Sequence, residues 1–401
     1  MQALDQIRVV EIGPGVAISF AGKLFADFGA DVIKVEEPDG DPSRRSGPFL
    51  PDQPDPERSA VFGFYNRNKR GVTLAARADS SRLLLADLAA SADLVLAGLS
   101  LVQLAELGLS LDTLAARRPG IVLASLTPWG EDGPYAGFEA TMLVADAIAG
   151  PVSVSGMPPH APLSKPMNLV AAQVGNSMAS AALGAVLSAR RSGEAQLVQL
   201  SATDLLMTQM DRRSMCLLGY QLTGDVTERP FGRARETPLP RGKHRCLDGF
   251  VDIVTSPAWV PRMLATLDDP GLTRFFAEHP DASVRIETAE LLEPVLHAWL
   301  ATRTRAECFE QATLAHGWPV FPVNPPHDVV RAQNFIDRGL FVEFDHPVGG
   351  RQRQLGPPWR MAEGGFAARR AAPVLGQHNA EIFGGELGPD TAAAAGAMGV
   401  I

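Results

Sequence analysis

The sequence predicts an α/β protein with a parallel sheet in its N-terminal half, and three observations lead there. A short apolar run is broken by a glycine-proline turn, an amphipathic helical stretch follows, and a second apolar run comes directly after it. The same alternation of short apolar runs with helical stretches continues to about residue 126. At 401 residues the chain also exceeds the length at which one hydrophobic core stops growing, so a second, smaller domain is expected.

The elements follow in order. Ile7-Arg8-Val9-Val10-Glu11-Ile12 suits a buried parallel strand, and Gly13-Pro14-Gly15 ends it. Residues 16–28 place Phe20, Leu24, Phe25 and Phe28 at helical spacing, with Gly29 where a C-terminal cap would stand. Residues 31–36 then form a second strand and close a β-α-β unit. Strand-like runs at 93–96 and 121–126 are separated by helical stretches at 80–92 and 101–118. From 142 to 191 the chain reads as helical with one interruption, 151–166, where Pro, Gly and Ser concentrate. The second of these helices, 171–191, carries Ala, Gly and Ser on nearly every face, so a neighbouring backbone can approach it closely and a central position is expected. Arg190 and Arg191 suit the negative end of its dipole, and Gly193 can terminate it. Beyond Leu222 the texture changes: 223–245 is polar, proline-bearing and basic, and 247–322 reads as a smaller mixed α/β region. The expected organisation is a large domain over 1–222, a small domain with a basic linker over 223–330, and a C-terminal segment over 331–401.

Composition narrows the function classes. The net charge of −9 argues against a general nucleic-acid surface, so an anionic ligand must be held by a local basic pocket. No continuous apolar run reaches the roughly 18 to 20 residues of a membrane helix, and Met1-Gln2-Ala3-Leu4-Asp5 lacks the basic stretch and apolar core of a secretory signal, so a cytoplasmic location is expected. Cys216, Cys246 and Cys308 lie far apart with no CxxC pair and read as reduced. The eight histidines are scattered without metal spacing, and no metal is expected.

Several constellations could carry chemistry. Gly13-Pro14-Gly15, with Glu36 about twenty residues on, resembles a dinucleotide fingerprint, but Ile18 fills the third glycine's place and Pro14 removes a backbone donor. A plain β-α-β turn and a different nucleotide-like ligand both remain open. Asn66-Arg67-Asn68-Lys69-Arg70-Gly71 is either a solvated charge run or a phosphate loop. The cluster of Arg229, Arg233, Arg235, Arg241, Lys243 and Arg245, opposed only by Glu236, is either an exposed linker or an anion-binding lid. Gly175-Asn176-Ser177-Met178-Ala179 falls one residue short of a nucleophile elbow and sits inside a helix, which argues against a serine hydrolase. Asp146, among Leu143, Val144, Ala145, Ala147 and Ile148, is either the polar edge of an apolar helix or a catalytic acid.

Taken together, Val9–Ile12, Leu24–Glu36, Asn66–Arg70, Trp129-Gly130-Glu131-Asp132-Gly133-Pro134-Tyr135, Arg190–Gln196 and Ala372–His378 resemble the family III CoA-transferases, the CaiB/BaiF group, across essentially the whole chain. The resemblance implies a Rossmann-like large domain completed by C-terminal segments, a smaller inserted α/β domain, and an interlocked homodimer. Coenzyme A or an acyl-CoA is then the substrate. Gly15, Val16 and Ala17 should approach it, and Asn68, Lys69 and Arg70 should face its phosphates.

Two departures bear on mechanism. Ala97-Gly98-Leu99-Ser100-Leu101 replaces an Asn-Phe-Arg-Pro-Gly-like phosphate loop, and Ala171, counted from Gly175 and Gly193, stands where the resemblance places the attacking aspartate. A methyl group performs no nucleophilic catalysis. The expectation is an acyl-CoA-handling transferase that works by direct attack of an acceptor, with Asp146 and Glu139 as the carboxylates to test as base or substitute nucleophile. The alternatives are a non-catalytic CoA-binding subunit that joins a homologous chain in a heteromeric transferase, and an acyl-CoA lyase or isomerase.

Overall fold

The first apolar run is the centre of a sheet. In the computed structural model it forms β1 (Arg8–Ile12), whose Val9, Val10 and Ile12 are buried, as a strand covered on both faces requires. α1 (Val16–Asp27) and β2 (Asp31–Glu36) complete the β-α-β unit, and β2 pairs with β1 in parallel from Arg8↔Asp31 to Ile12↔Val35. There follow α2 (Ala60–Asn66), β3 (Arg70–Thr73), α3 (Arg82–Ala90), β4 (Leu94–Ala97), α4 (Leu101–Glu106), α5 (Leu111–Arg117), β5 (Val122–Thr127), α6 (Met142–Ile148), α7 (Leu169–Ser192) and β6 (Gln196–Ser201). The stretch expected as one helix over 101–118 is two, because Ser100 and Ser110 each cap a new start. The six strands lie in the order β3-β2-β1-β4-β5-β6, all parallel. This is the doubly wound order, and its direction reverses between β1 and β4.

The structure describes residues 1–156, 159–166, 168–208, 212–226, 238–285, 287–388 and 396. The chain divides into two units, one of Met1–Ser155, Ala161–Glu228 and Arg338–Ile401, the other of Gly156–His160 and Arg229–Asp337. In the first unit each face of the sheet is covered. One face packs against α1 and α7 through Ile18, Phe25, Val174 and Met178, and the other against α3 and α5 together with Ile382 and Phe383 of the C-terminal segment.

α7 is long enough and apolar enough to cross a membrane by length and composition, although the sequence shows no continuous apolar run of that length. Here it is a helix of the core, with Val174, Met178, Ala182 and Val186 buried against the sheet. Its close fit depends on Gly175, where a Cβ would stand 2.2 Å from the Ala17 carbonyl oxygen of α1. Gly193 ends it in the left-handed conformation, at φ 73°.

After α8 (Ala202–Thr208) and α9 (Arg212–Thr223), the second unit builds an antiparallel sheet of β7 (Arg241–Cys246), β8 (Gly249–Val254) and β9 (Val320–Pro322). Its core gathers Val251, Ile253, Met263, Leu296 and Trp318, with the Trp318 indole donating to the Thr255 hydroxyl at 2.8 Å. The first unit resumes with an antiparallel hairpin, β10 (Phe341–His346) and β11 (Gly350–Leu355).

Candidate functional site

In a doubly wound sheet the crevice for a ligand opens where strand order reverses, beyond the carboxyl ends of the strands. Here that point lies past Ile12 of β1 and Ala97 of β4, and two neighbouring cavities open there. The loop Gly13-Pro14-Gly15 separates them, and Pro14 lines both.

The first cavity, about 480 Å³, is bounded by Gly15, Val16 and Ala17 at the start of α1, by Gly98 after β4, by Met142 and Leu143 at the start of α6, and by Ala171 of α7. Gly15 leads into α1 at φ 119°, a conformation open to glycine alone without strain, and offers no side chain to cap the helix. The amides of Val16, Ala17 and Ile18 therefore have no acceptor among the described residues and sit at the positive end of the helix dipole. No ionisable side chain lines this cavity among the described residues.

The second cavity, about 500 Å³, lies beyond the ends of β1, β2 and β3 and carries charge of both signs. Glu36 and Asp41 are neutralised, the one by Arg44 at 2.7 Å and the other by Lys34 at 3.0 Å. Arg45, Arg77 and Arg82 also line it; Arg45 touches Asp39 at 3.5 Å and Arg82 touches Asp79 at 3.0 Å, both exposed pairs that a phosphate can displace. Glu37 and Glu106 line it as well, and burial pushes the Glu37 carboxyl upward, against the pull of the Ala76 amide and Arg77.

Of the residues singled out from sequence, Gly15, Val16, Ala17 and Ala171 come together. Asn68, Lys69 and Arg70 do not face a cavity: they are a buried belt of ion pairs. Lys69 is fully buried and donates to Glu11 at 2.6 Å, to the Ser19 carbonyl at 2.8 Å and to Asn66 at 2.9 Å. Asn68 bonds Asp27 and the 367–370 segment, and Arg70 pairs with Asp31, Glu381 and Glu386. Lys34 also donates to Glu11, at 2.9 Å. Burial opposes the Glu11 charge, but Lys34 and Lys69 outweigh it and hold the carboxyl below its ordinary range. Burial pushes Lys69 down to about 8 even so, which leaves it protonated at neutral pH.

Asp146 is buried on α6 and does not line the first cavity. One oxygen takes the Lys165 ammonium at 2.9 Å, and Lys165 also reaches Gln173; the other oxygen has no partner among the described residues. Glu139 is exposed and lines neither cavity. Ser177 donates to the Gln173 carbonyl within α7, as a helical serine does, so the near-elbow is only helix. Arg229, Arg233, Arg235 and Glu236 lie outside the described residues, while Arg241, Lys243 and Arg245 belong to β7. Among the described residues no three His, Cys, Asp or Glu side chains are placed to share a metal ion.

Sequence reasoning missed Arg45, Arg77 and Arg82, which stand apart in sequence; their signal was position, in the segments that follow the ends of β2 and β3. It also missed Glu131, which accepts from Ser125 at 2.7 Å and from the Leu101 amide at 3.0 Å, and so ties the loops after β4 and β5 together.

Residues 4–379 match the family described as CoA-transferase family III. This chain belongs to CoA-transferase family III. Within the family it is 30% identical over 398 residues to the succinyl-CoA–D-citramalate CoA-transferase of Chloroflexus aurantiacus, covering 96% of this chain and 94% of that one. It is 27% identical over 398 residues to the succinyl-CoA:(R)-benzylsuccinate CoA-transferase subunit BbsE of Thauera aromatica, covering 95% and 94%. The fold matches the crystal structure of a CaiB/BaiF family protein from Brucella suis with a TM-score of 0.83 at 24% identity, over 95% of this chain and 98% of that one. Membership in family III supports transferase chemistry on a CoA thioester.

Proposed function

We propose that this chain moves CoA from an acyl thioester to a carboxylate, with the thioester held at the reversal of strand order and no aspartyl intermediate formed. The observation that carries the reading is the convergence of the α1 amides with Ala171 in one cavity that adjoins a second, arginine-bearing one. The phosphorylated end of CoA lies among Arg45, Arg77 and Arg82, and its pantetheine arm passes Pro14 to bring the thioester before Val16 and Ala17.

An acceptor carboxylate oxygen attacks the thioester carbonyl carbon, and the displaced π pair becomes an oxyanion facing the amides of α1. Each such donor, in a site closed to water, is worth about a hundredfold or more in rate. Collapse breaks the C–S bond and expels CoA as thiolate, leaving a mixed anhydride. The thiolate then attacks the acceptor's carbonyl, the new C–S bond forms, and the donor acid leaves as carboxylate. No proton changes hands, so neither Asp146 nor Glu139 is needed as a base.

Incubating the pure protein with an acyl-CoA and candidate carboxylic acids, and reading both the thioester pool and the intact protein by mass spectrometry, tests this. New thioesters with an unchanged protein mass are expected; a covalent acyl or CoA adduct sinks the direct route, and no exchange at all sinks catalysis by the chain alone.

A second reading is favoured by the uncharged cavity wall and by the relative named as a transferase subunit. In it the chain binds CoA, and a homologous chain assembled with it supplies the carboxylate. That reading requires CoA binding without exchange, and exchange once the partner is added.

A further inference from the structure

The wall of the acyl-side cavity says what kind of acyl group it suits. Its side chains are Val16, Ile18, Leu126, Pro128, Met142 and Leu143, together with Pro14, three alanines and three neutral polar groups. Those polar groups each have a partner, and the two threonines keep only a hydroxyl hydrogen to donate. Thr127 accepts from the Gly130 amide at 3.0 Å, Thr141 caps α6 by accepting from Val144, and Asn168 bonds the Tyr65 hydroxyl. The Lys165 ammonium, half-buried, is committed to Asp146 at 2.9 Å, and those of Lys34 and Lys69 to Glu11.

We propose that this site takes an uncharged aliphatic acyl group in preference to a dicarboxylic one, and that Met142 and Leu143 set the preference. The inference rests on the reading that the cavity receives a CoA thioester. The α1 amides are taken by the thioester oxygen and the attacking carboxylate, and beyond them the wall offers a second carboxylate no cation, so removing that group from water costs more than the remaining neutral groups return. An aliphatic chain loses nothing polar and gains from burial, by about fourfold in affinity for each methylene. Met142 is well suited to the task because its unbranched, polarizable side chain adapts to chains of differing length.

Calorimetric titration of the full chain with CoA, acetyl-CoA, butyryl-CoA, hexanoyl-CoA, succinyl-CoA and 4-methylpentanoyl-CoA, the neutral isostere of succinyl-CoA, tests it. The expected result is a rise of about fourfold in affinity per added methylene until the cavity fills, with succinyl-CoA at least about tenfold weaker than its isostere. Leu143→Arg, at a position 56% exposed and so tolerant of a long side chain, should close that gap by at least about tenfold. Its melting temperature shows whether the variant is folded, and the wild-type series decides without it. Succinyl-CoA binding as tightly as 4-methylpentanoyl-CoA, while CoA itself binds, overturns the preference and leaves CoA recognition standing. Failure of CoA and every thioester to bind overturns both.

Discussion

Glu11→Gln should destabilise the first unit by about 3–5 kcal/mol, the cost of breaking a buried ion pair by removing one partner. Glu11 is fully buried and answers two ammoniums, Lys69 at 2.6 Å and Lys34 at 2.9 Å, so the loss could count twice. It does not, because Lys34 keeps Asp41 at 3.0 Å. Lys69 is the residue stranded: its remaining acceptors, the Ser19 carbonyl and the Asn66 side chain, are neutral. One broken pair, at roughly 2 °C per kcal/mol for a unit of this size, lowers the melting temperature by about 6 to 10 °C. The assay is thermal unfolding followed by circular dichroism for the wild type, Glu11→Gln, Lys69→Met and the double variant. Because an apolar residue of similar volume replaces a buried charge at little cost, Lys69→Met in the Glu11→Gln background should recover most of the loss. A drop under about 2 °C in the single variant, or a double variant no more stable than the single, refutes the reasoning.

Three further outcomes follow from the same geometry. The folded protein releases the Lys69 proton near pH 8, whereas an ordinary lysine holds it to 10.5; between those values the unfolded chain binds more protons, so this residue makes stability rise with pH, and denaturant titrations from pH 7 to 10 should show the rise in the wild type and not in Lys69→Met. Gly175→Val should cost about 1–3 kcal/mol or more, since a Cβ there stands 2.2 Å from the Ala17 carbonyl, while Gly184→Ala, with no atom within 4 Å, should stabilise by about 0.5–1 kcal/mol, both read as shifts in the denaturation midpoint. Ala171→Asp places a carboxylate in the first turn of α7, where the helix dipole favours it, and should raise CoA exchange and leave a covalent adduct visible in the intact mass.

The large sheet was legible because its central strands announce themselves. A strand buried on both faces must be a short apolar run, and those of β1, β2, β4 and β5 fall within a residue or two of where the pattern puts them. β6 was not seen, since Gln196–Ser201 lies at the sheet's edge, has no buried residue and mixes polar with apolar side chains. The β10–β11 hairpin was missed because its strands mix them too. At the site, the basic run at 66–70 could not be read correctly in one dimension. Its acidic partners Glu11, Asp27 and Asp31 come from a separate strand, a helix and a second strand, and only the folded sheet shows that the charges cancel inside the protein. Ala171 reached the cavity wall in the reading only through the family resemblance, because nothing in local pattern ties residue 171 to residue 15.

α1 joins the buried charges to the proposed chemistry. Its flank is clamped: Ser19 gives its carbonyl to Lys69 and its hydroxyl to Glu11 at 3.3 Å, while Lys23 and Asp27 form a second buried pair that Arg67 completes at 2.8 Å. Its other side meets α7 at Gly175 without room for a methyl group. A helix fixed on both sides cannot turn or slide, so the amides at its N-terminus point at one place in the cavity. An apolar core alone would stabilise α1 as well, and replacing a buried ion pair by apolar residues often does no harm to stability. Apolar contacts, however, leave a helix free to shift by fractions of an ångström at little cost, whereas short charge-assisted hydrogen bonds do not. Direct attack without a covalent intermediate depends on orientation and on a preorganised oxyanion site. The Glu11→Gln, Lys69→Met double variant should therefore separate the two roles, with stability largely recovered and CoA exchange still depressed.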